Sequence, residues 1–543
     1  MTNLRYIRDL RRQLHSWWIP SIVAALVILL PILSILLSII QPATENWGHI
    51  REYVLVDAVI QSTQLVLMTV LLTACIGVSL AWLVTAYDFP MKRFFSWALL
   101  LPLAVPPYIA AYTYSNMFSY TGIVQKTMRD YFSYSPDPSW FGVMSMRGAV
   151  MIFTLFLFPY VFLLTKAFFS KQSGSYIENA RLLGRGPFSI FFTVALPLCR
   201  PALVGSLMLV TFEVLSDFGV VSYFGVQTIS TAIFKTWFGM YDVDSAIRLA
   251  AWLMVGILGL FALEHFLRSN RKFSASTSKS RSFLPKRLTG VQAGLAWIAC
   301  SLVFAFSFLI PFVQLIVWAT WSFESVWTSA FYQLMANTFK VAAIATAIIM
   351  VVSVLVANSC RLQPSLFSNL LAKAVTAGYS IPGAVIAVGV LHVFIGLDHQ
   401  LSQWRGEEAL WLSLSIAMLI FGYVVRFMAT GYNAVDSGYE RIGTSYLQAS
   451  RLLGLGITRT FWKVDLPLLR RALLTGAILT FVEILKELPL ALLLRPFNFE
   501  TLATKTYQYA SDERIFEASI PSLCIIAVSM LSVLLFHRIG EEK

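Results

Sequence analysis

Charged residues are scarce in this chain. Asp, Glu, Lys and Arg make up only 13% of its 543 residues, while 57% are hydrophobic. A typical water-soluble protein has about 25% charged residues, so this composition excludes an ordinary soluble protein. The long apolar runs instead predict an all-α, polytopic membrane protein.

Cysteine is also rare, and the five cysteines are isolated from one another. They lie in or beside apolar runs, with no C-x-x-C pair and no metal-ligand spacing. We interpret them as small buried hydrophobic residues. They are Cys75, Cys199, Cys300, Cys360 and Cys524.

A phosphate-binding loop is missing. The chain contains no G-x-x-x-x-G-K-[ST] motif and not one Gly-Lys pair, so it has no P-loop with which to bind ATP. The sequence shows no constellation of nucleophile and base and no metal-ligand cluster, which disfavours a membrane-bound enzyme. We therefore expect no catalytic residue, no bound cofactor and no firmly assignable metal site.

The basic residues are distributed as the topology of a membrane protein requires. The formal net charge is +13, and Lys and Arg collect in alternate loops, as expected where they are retained on the cytoplasmic side. Residues 269–290 are basic and rich in Ser, which predicts a cytoplasmic linker near anionic headgroups. A nucleic-acid-binding tail is the alternative, and the predicted spans on both sides disfavour it.

The N-terminal segment is basic and is followed by an apolar run over 17–40. This run is longer than the apolar region of a signal peptide and is long enough to cross a bilayer. We predict an uncleaved first helix and cytoplasmic N- and C-termini. The twelve predicted spans are about 18–40, 62–87, 95–118, 148–169, 201 onward, 246–267, 293–321, 337–359, 370–396, 409–434, 472–494 and 515–537.

One stretch occurs twice, at 175–203 and 445–473, with a constant offset of 270 residues. This offset is about half the chain, so the sequence is an internal duplication of two six-helix halves. The identical pairs include Ser175/Ser445, Tyr176/Tyr446, Arg181/Arg451, Leu182/Leu452, Leu183/Leu453, Gly184/Gly454, Gly186/Gly456, Phe191/Phe461, Leu196/Leu466 and Pro197/Pro467.

The start of each repeated stretch predicts a short helix. Ile177, Ala180 and Leu183 have a spacing of three, which places them on one face that a partner's groove can accept. Glu178 is expected in the first turn, and Gly184 at a left-handed stop. An amphipathic helix lying at the headgroups is the alternative.

Prolines interrupt one predicted span in each half. The third span contains Pro102, Pro106 and Pro107, and Pro382 corresponds to Pro106 at an offset of 276. Proline removes a donor from the helix, so neighbours or water must satisfy the freed backbone groups. Such breaks are expected to line a cavity or to pack within the protein.

Four carboxylates lie deep in apolar runs. Glu213 and Asp217 are four residues apart and are expected on one helix face. A carboxylate in lipid costs about 2.5–3.5 kcal/mol, so all four are expected to face the interior or water and to mark a translocation pathway. Ion pairing is the alternative, strongest for Glu487. The carboxylates are Glu213, Asp217, Glu483 and Glu487, and the neighbouring basic residues are Lys486 and Arg426.

The repeated stretch resembles the cytoplasmic loop of membrane subunits of type I ABC importers, with its E-A-A, Gly and Leu-Pro pattern. The first copy has Asn179 in place of the middle Ala, and the second copy departs from the pattern at Gln448 and Ser450. In the family, each such loop docks onto an ATP-binding subunit. The resemblance implies coupling roles for Glu178, Ala180, Gly184, Pro197, Gln448, Ser450, Gly454 and Pro467.

Residues 217–239 and 485–521 resemble the corresponding segments of fused ferric-iron permeases of this class, and the resemblance extends over nearly the whole chain. The resemblance implies a bacterial inner-membrane channel that receives Fe(III) from a periplasmic binding protein and is driven by two separate ATPase subunits, which use ATP-Mg. Thiamine, polyamine and phosphonate permeases share the loop, and a proton-driven secondary transporter is an alternative of another class. The implied organisation is 1–57 for the N-terminal segment, first helix and outer loop, 58–268 for the first permease domain, 269–290 for the linker, 291–332 for helix 7 and its outer loop, and 333–538 for the second permease domain.

Overall fold

The computed structural model describes residues 17–40, 42, 44–135, 137–171, 174–269, 285–406 and 410–541. Helices make up most of this described part, and its strands are a single two-residue pairing. The predicted all-α class is therefore confirmed. Most of the predicted linker lies outside the described residues.

The first half of the chain contains twelve helices among its described residues. They are α1 (Trp18–Ser38), α2 (Trp47–Ala86), α3 (Lys92–Ala98), α4 (Pro107–Phe118), α5 (Ile123–Phe132), α6 (Met146–Lys171), α7 (Gly174–Leu182), α8 (Pro187–Ile190), α9 (Leu196–Ser216), α10 (Gly219–Tyr223), α11 (Ile229–Phe234) and α12 (Val243–Ser269).

The described part of the second half has the same order, except that the single helix α16 corresponds to α4 and α5. Its helices are α13 (Gly290–Val326), α14 (Ser329–Leu362), α15 (Leu366–Thr376), α16 (Gly383–Arg405), α17 (Ile416–Ile442), α18 (Ser445–Leu452), α19 (Ile457–Thr460), α20 (Leu466–Lys486), α21 (Pro489–Leu494), α22 (Leu502–Ser511) and α23 (Ile515–Glu541).

Ten helices in the described part are long and apolar enough to cross a membrane, and the bent pair 92–104 and 107–132 makes eleven. Twelve spans were expected. The remaining one corresponds to α20, whose 21 residues include two Arg near its start and both Glu483 and Lys486 near its end. These charged residues interrupt the apolar stretch of α20.

Two segments that lie between predicted spans contain helix. The first, around Glu45 to Glu52, is largely the beginning of α2, which extends back to Trp47 through a π-helical turn. The second, 121–147, contains α5 and a short 3-10 helix at Pro138–Phe141. Polar and aromatic residues in these segments weakened the helical pattern in the sequence.

The chain divides into two compact units. One contains the described residues of Glu45–Ser245, Trp252–Trp327 and Lys505–Lys543, and α2, α6 and α9 pack together in its core. The other contains those of Met1–Thr44, Ala246–Ala251 and Thr328–Thr504, where α14, α17 and α20 form the equivalent packing.

The first helix of each half packs on helices of the other half. α1 packs on α14, α15 and α16, and α13 packs on α3 and α4. Gly389 of α16 permits the close approach of α1, since a Cβ there would lie 2.6 Å from Cδ1 of Ile35 and 2.7 Å from the Pro31 carbonyl oxygen. Neither first helix therefore completes its packing within its own half.

Proline breaks occur at equivalent places in the two halves, as predicted. A 3-10 turn, Leu101–Ala104, is followed by extended Val105, and α4 then begins after Pro106. In the second half the turn is Ala377–Ser380, and α16 begins after Pro382. The predicted continuous span 370–396 is therefore two helices, because Pro382 cannot continue the hydrogen-bond ladder.

A short parallel pairing anchors the chain after the linker. Tyr87 and Asp88, which follow α2, pair with Lys286 and Arg287. The Leu288 amide donates to the Asp88 carbonyl at 2.8 Å. These bonds set the start of α13 beside the first half's turn.

Candidate functional site

The repeated stretch folds the same way twice. In the first repeated loop, residues 174–195, α7 is followed by a turn, α8 and a π-helical turn that leads into α9. In the second repeated loop, residues 444–465, α18, α19 and another π-helical turn lead into α20 in the same order. Pro197 and Pro467 are each the second residue of the long helix that follows.

Each short helix ends at a glycine in the left-handed region. φ is +76° at Gly184 and +79° at Gly454. The Gly184 and Arg185 amides donate to the carbonyls of Arg181 and Ala180 at 2.9 and 3.1 Å, and the second loop has the same pair of bonds. This is a Schellman stop, in which a residue without Cβ is strongly preferred.

The face predicted to meet a partner is turned inward for two of its three residues. Ile177 and Ala180 are buried, while Leu183 is 83% exposed because the helix ends at Leu182, before it. Tyr176, Leu182 and Leu183 are exposed, and so are Tyr446, Leu452 and Leu453 at the same positions of the second loop. The small residues therefore allow close packing inside the loop.

Glu178 is not in the first turn as predicted, because α7 begins at Gly174 and places it fifth. It is half-buried, whereas its counterpart Gln448 is exposed. The two loops thus differ in charge and in exposure at equivalent positions.

The departure at Ser450 has a structural reason. Ser450 Oγ donates to Thr460 Oγ1 at 3.1 Å, and both side chains are buried. At the equivalent positions of the first loop, Ala180 and Ile190 are also buried. An apolar pair in one loop corresponds to a hydrogen-bonded polar pair in the other. The exchange of both residues was a signal in the sequence that our prediction missed.

The sequence predicts Asp217 on a helix face, but α9 ends one residue before it. Glu487 likewise follows the last residue of α20, and the backbone of Asp217 and Glu487 is extended. Asp217 Oδ1 accepts the Val220 amide at 2.8 Å, and Glu487 Oε1 accepts the Leu490 amide at 3.2 Å. Each carboxylate therefore satisfies a donor at the start of the short helix that follows, α10 or α21.

Glu487 belongs to a buried cluster in the second half. Its Oε2 lies 4.0 Å from Nε of Arg426, and both side chains are about one-tenth exposed. Arg426 also donates to the carbonyl of Ile381, the residue left without a helical partner at the proline break. One guanidinium thus connects α17, the broken span and the end of α20, which supports the ion-pair interpretation of Glu487.

Glu483 also has a basic partner, since Lys486 Nζ lies 2.8 Å from its Oε1 in a partly exposed pair. Glu213 and Asp217 are half-buried. The positions of Lys486 and Arg426 at offset 270 are occupied by Ser216 and Phe156 in the first half. Among the described residues, no group of three or more His, Cys, Asp or Glu is placed to hold a metal ion.

Comparison with known proteins identifies the architecture. Residues 73–263 and 349–542 each match the family model described as binding-protein-dependent transport system inner membrane component. Together these matches cover more than half of the chain. The chain belongs to this family.

The relatives of this permease are named for the transport of different substrates. This permease is 23% identical over 481 residues to the Fe(3+)-transport system permease protein FbpB 2 of Haemophilus influenzae, and the match covers 87% of this chain and 88% of that one. It is 21% identical to the ferric transport system permease protein FbpB of Actinobacillus pleuropneumoniae, covering 82% and 65%. The molybdenum transport system permease protein ModB of Escherichia coli is 28% identical, covering 30% and 69%.

We predict that Arg426→Met destabilises the permease. The change leaves Glu487 buried without its cation and removes the donor to Ile381, so the expected loss is about 3–5 kcal/mol of unfolding free energy. The measurement is the thermal unfolding midpoint of the purified protein in detergent. Lys486→Met is the matched control, since its partly exposed pair is worth about 1 kcal/mol or less. Equal midpoints for the two variants would contradict the role of the cluster.

Proposed function

We propose that this permease is the membrane subunit of an ATP-driven importer that takes up Fe(III) delivered by a periplasmic binding protein. The observation that carries this proposal is similarity to a ferric permease over nearly the full length of both chains, including both halves of the duplication. As the chain has no P-loop, ATP is hydrolysed by separate subunits.

The two repeated loops are the docking points for two ATPase subunits. Each presents one exposed tyrosine and two exposed leucines beside a fixed Schellman turn. An exposed apolar patch held on a rigid turn favours a protein partner. The residues that shape the loops are Glu178, Ala180, Gly184 and Pro197, with Gln448, Ser450, Gly454 and Pro467 in the second copy.

In this proposal Glu213 and Glu483 serve the translocation pathway, and Asp217 and Glu487 hold the backbone beside it. Fe(III) is a hard cation and prefers oxygen ligands. Asp217 and Glu487 accept backbone amides at the start of α10 and α21. Glu213 and Glu483 lie one turn earlier in α9 and α20, so their charge can be removed without losing these hydrogen bonds.

Transport of an oxyanion is the second candidate, because part of the chain is similar to molybdenum and sulfate permeases. Uptake of radiolabelled Fe(III) by cells that express the chain with its ATPase and binding protein tests the two. We expect excess unlabelled Fe(III), but not molybdate, sulfate, Fe(II), thiamine or a polyamine, to compete. We also expect vanadate to inhibit uptake; resistance to vanadate would favour a proton-driven transporter.

We predict that Gly184→Val or Gly454→Val uncouples the transporter. A β-branched residue at these positive φ angles is strained by about 1–2 kcal/mol. If this strain raises the free energy of the docked state, uptake is expected to fall roughly tenfold. Gly186→Val and Gly456→Val are the controls, because φ is −70° at both and no atom lies within 4 Å of the added Cβ. Wild-type uptake in the first pair, at normal membrane levels, would refute the coupling role.

We predict that Glu213→Gln combined with Glu483→Gln lowers Fe(III) uptake while the ATPase subunits still co-purify. The change removes two negative charges but keeps the size of each side chain. Glu324→Gln, an exposed glutamate in α13, is the control for a loss of charge elsewhere. Unchanged Fe(III) uptake in the double variant would make Glu213 and Glu483 structural residues.

A further inference from the structure

Arg361, the penultimate residue of α14, contacts both ends of the second repeated loop. Its Nη1 lies 2.9 Å from Asp465 Oδ1, in the π-helical turn where the loop ends. Its Nη2 donates to the carbonyl of Gly443, which caps α17 just before the loop begins, at 3.1 Å. A single guanidinium therefore closes the base of this loop.

The contact is shielded from solvent. The exposed fractions of the Arg361 and Asp465 side chains are 9% and 2%, and the guanidinium lies 4.5 Å from the ring centre of Tyr439 in α17. Water competes with the partners of an exposed ion pair, so such a pair stabilises a protein little. A buried pair is different, because removing one partner leaves an uncompensated charge. The second loop is thus fixed to α14 and α17 by a charge-assisted connection.

The first half has no counterpart of this pair in its sequence. Asp465 corresponds to Ala195 at offset 270. Arg361 corresponds to Thr85 at offset 276, which holds on both sides of it for Ser62/Thr338 and Pro106/Pro382.

The offset around Arg361 is supported by two matching contacts. Ser62 Oγ accepts the amide of Ile229, the first residue of α11, at 3.0 Å. Thr338 Oγ1 accepts the amide of Leu502, the first residue of α22, at the same distance.

Ring packing occupies the corresponding region of the first half. Trp82 of α2 packs on Phe191 of the first repeated loop, with ring centres 5.7 Å apart, and on Phe169 of α6, at 5.3 Å. Ring contacts are less directional than a charge-assisted hydrogen bond. In the second loop the equivalent Phe461 packs on Trp17, just before α1, with ring centres 4.9 Å apart. The second loop therefore has the Arg361–Asp465 pair in addition to ring packing.

We propose that Arg361 is a positioning residue that fixes the second repeated loop to α14, so that a displacement of this loop by its ATPase is transmitted to α14 and α17 through the Arg361–Asp465 pair. The first loop is connected through aromatic packing around Trp82, and the two halves respond unequally. This inference rests on the coupling role of the loops in the proposed function.

The decisive variant is Arg361→Thr with Asp465→Ala, which installs the residues that stand at the equivalent positions of the first half. Because both charges are removed, no unpaired ion remains buried and the chain is expected to insert normally. Asp465→Glu keeps the carboxylate and serves as the conservative variant. Arg471→Ala removes an exposed charge six residues further on and is the matched control.

Hydrogen exchange on the purified permease without ATPase tests the attachment itself. We expect amides of residues 444–465 to exchange about tenfold faster in the double variant, with residues 174–195 unchanged. Asp465→Glu and Arg471→Ala are expected to retain wild-type exchange. Unchanged exchange in the double variant would overturn the proposal whatever the transporter carries.

Transport measurements then test transmission. In the assembled transporter, the double variant is expected to bind its ATPase subunits and to hydrolyse ATP, but to import about tenfold less cargo per ATP. Faster exchange with normal import per ATP would overturn transmission through Arg361, and so would loss of the ATPase subunits. A wild-type chain that binds no ATPase would refute the proposed function, while the exchange result would still decide whether Arg361 holds the loop.

Discussion

Every backbone break inside an apolar helix bundle must have its freed polar groups satisfied. This constraint explains why charged residues occur where they do. Arg426 donates to the Ile381 carbonyl at a proline break, while Asp217 and Glu487 accept amides at the starts of α10 and α21. Without these bonds the short helices would have unsatisfied ends in a region where water is scarce, so the breaks depend on the charges beside them.

The two halves meet this constraint with different chemistry. The second half uses Arg426 and Lys486 beside its carboxylates, Asp465 beside Arg361, and a hydrogen-bonded Ser450 and Thr460. The first half has Phe156, Ser216, Ala195, Thr85, Ala180 and Ile190 at those positions. The short helices of both repeated loops nonetheless end at the same left-handed glycines. At these positions the duplication has therefore kept its turns while the side-chain contacts around them have changed.

The sequence was sufficient to predict the helical class, the duplication, the proline breaks and the glycine stops, because each depends on local residue type or spacing. It did not predict that α9 and α20 end before Asp217 and Glu487. Apolar residues continue on both sides of each helix end, and the change of ψ at a single residue leaves no trace in the hydrophobic periodicity. Leu183 shares the spacing of Ile177 and Ala180, yet it lies beyond the helix end. Arg361 and Asp465 are about a hundred residues apart, so only the fold shows that they form a pair.

The deep carboxylates of the two halves lie in different surroundings. In the second half, Glu483 and Glu487 each have a basic neighbour, whereas Ser216 and Phe156 occupy the positions equivalent to Lys486 and Arg426 in the first half. Removing one partner of a buried pair leaves an uncompensated charge, whereas an exposed pair contributes little. Equivalent carboxylates of the duplication are therefore not interchangeable, because the residues that would have to compensate a substitution differ between the halves.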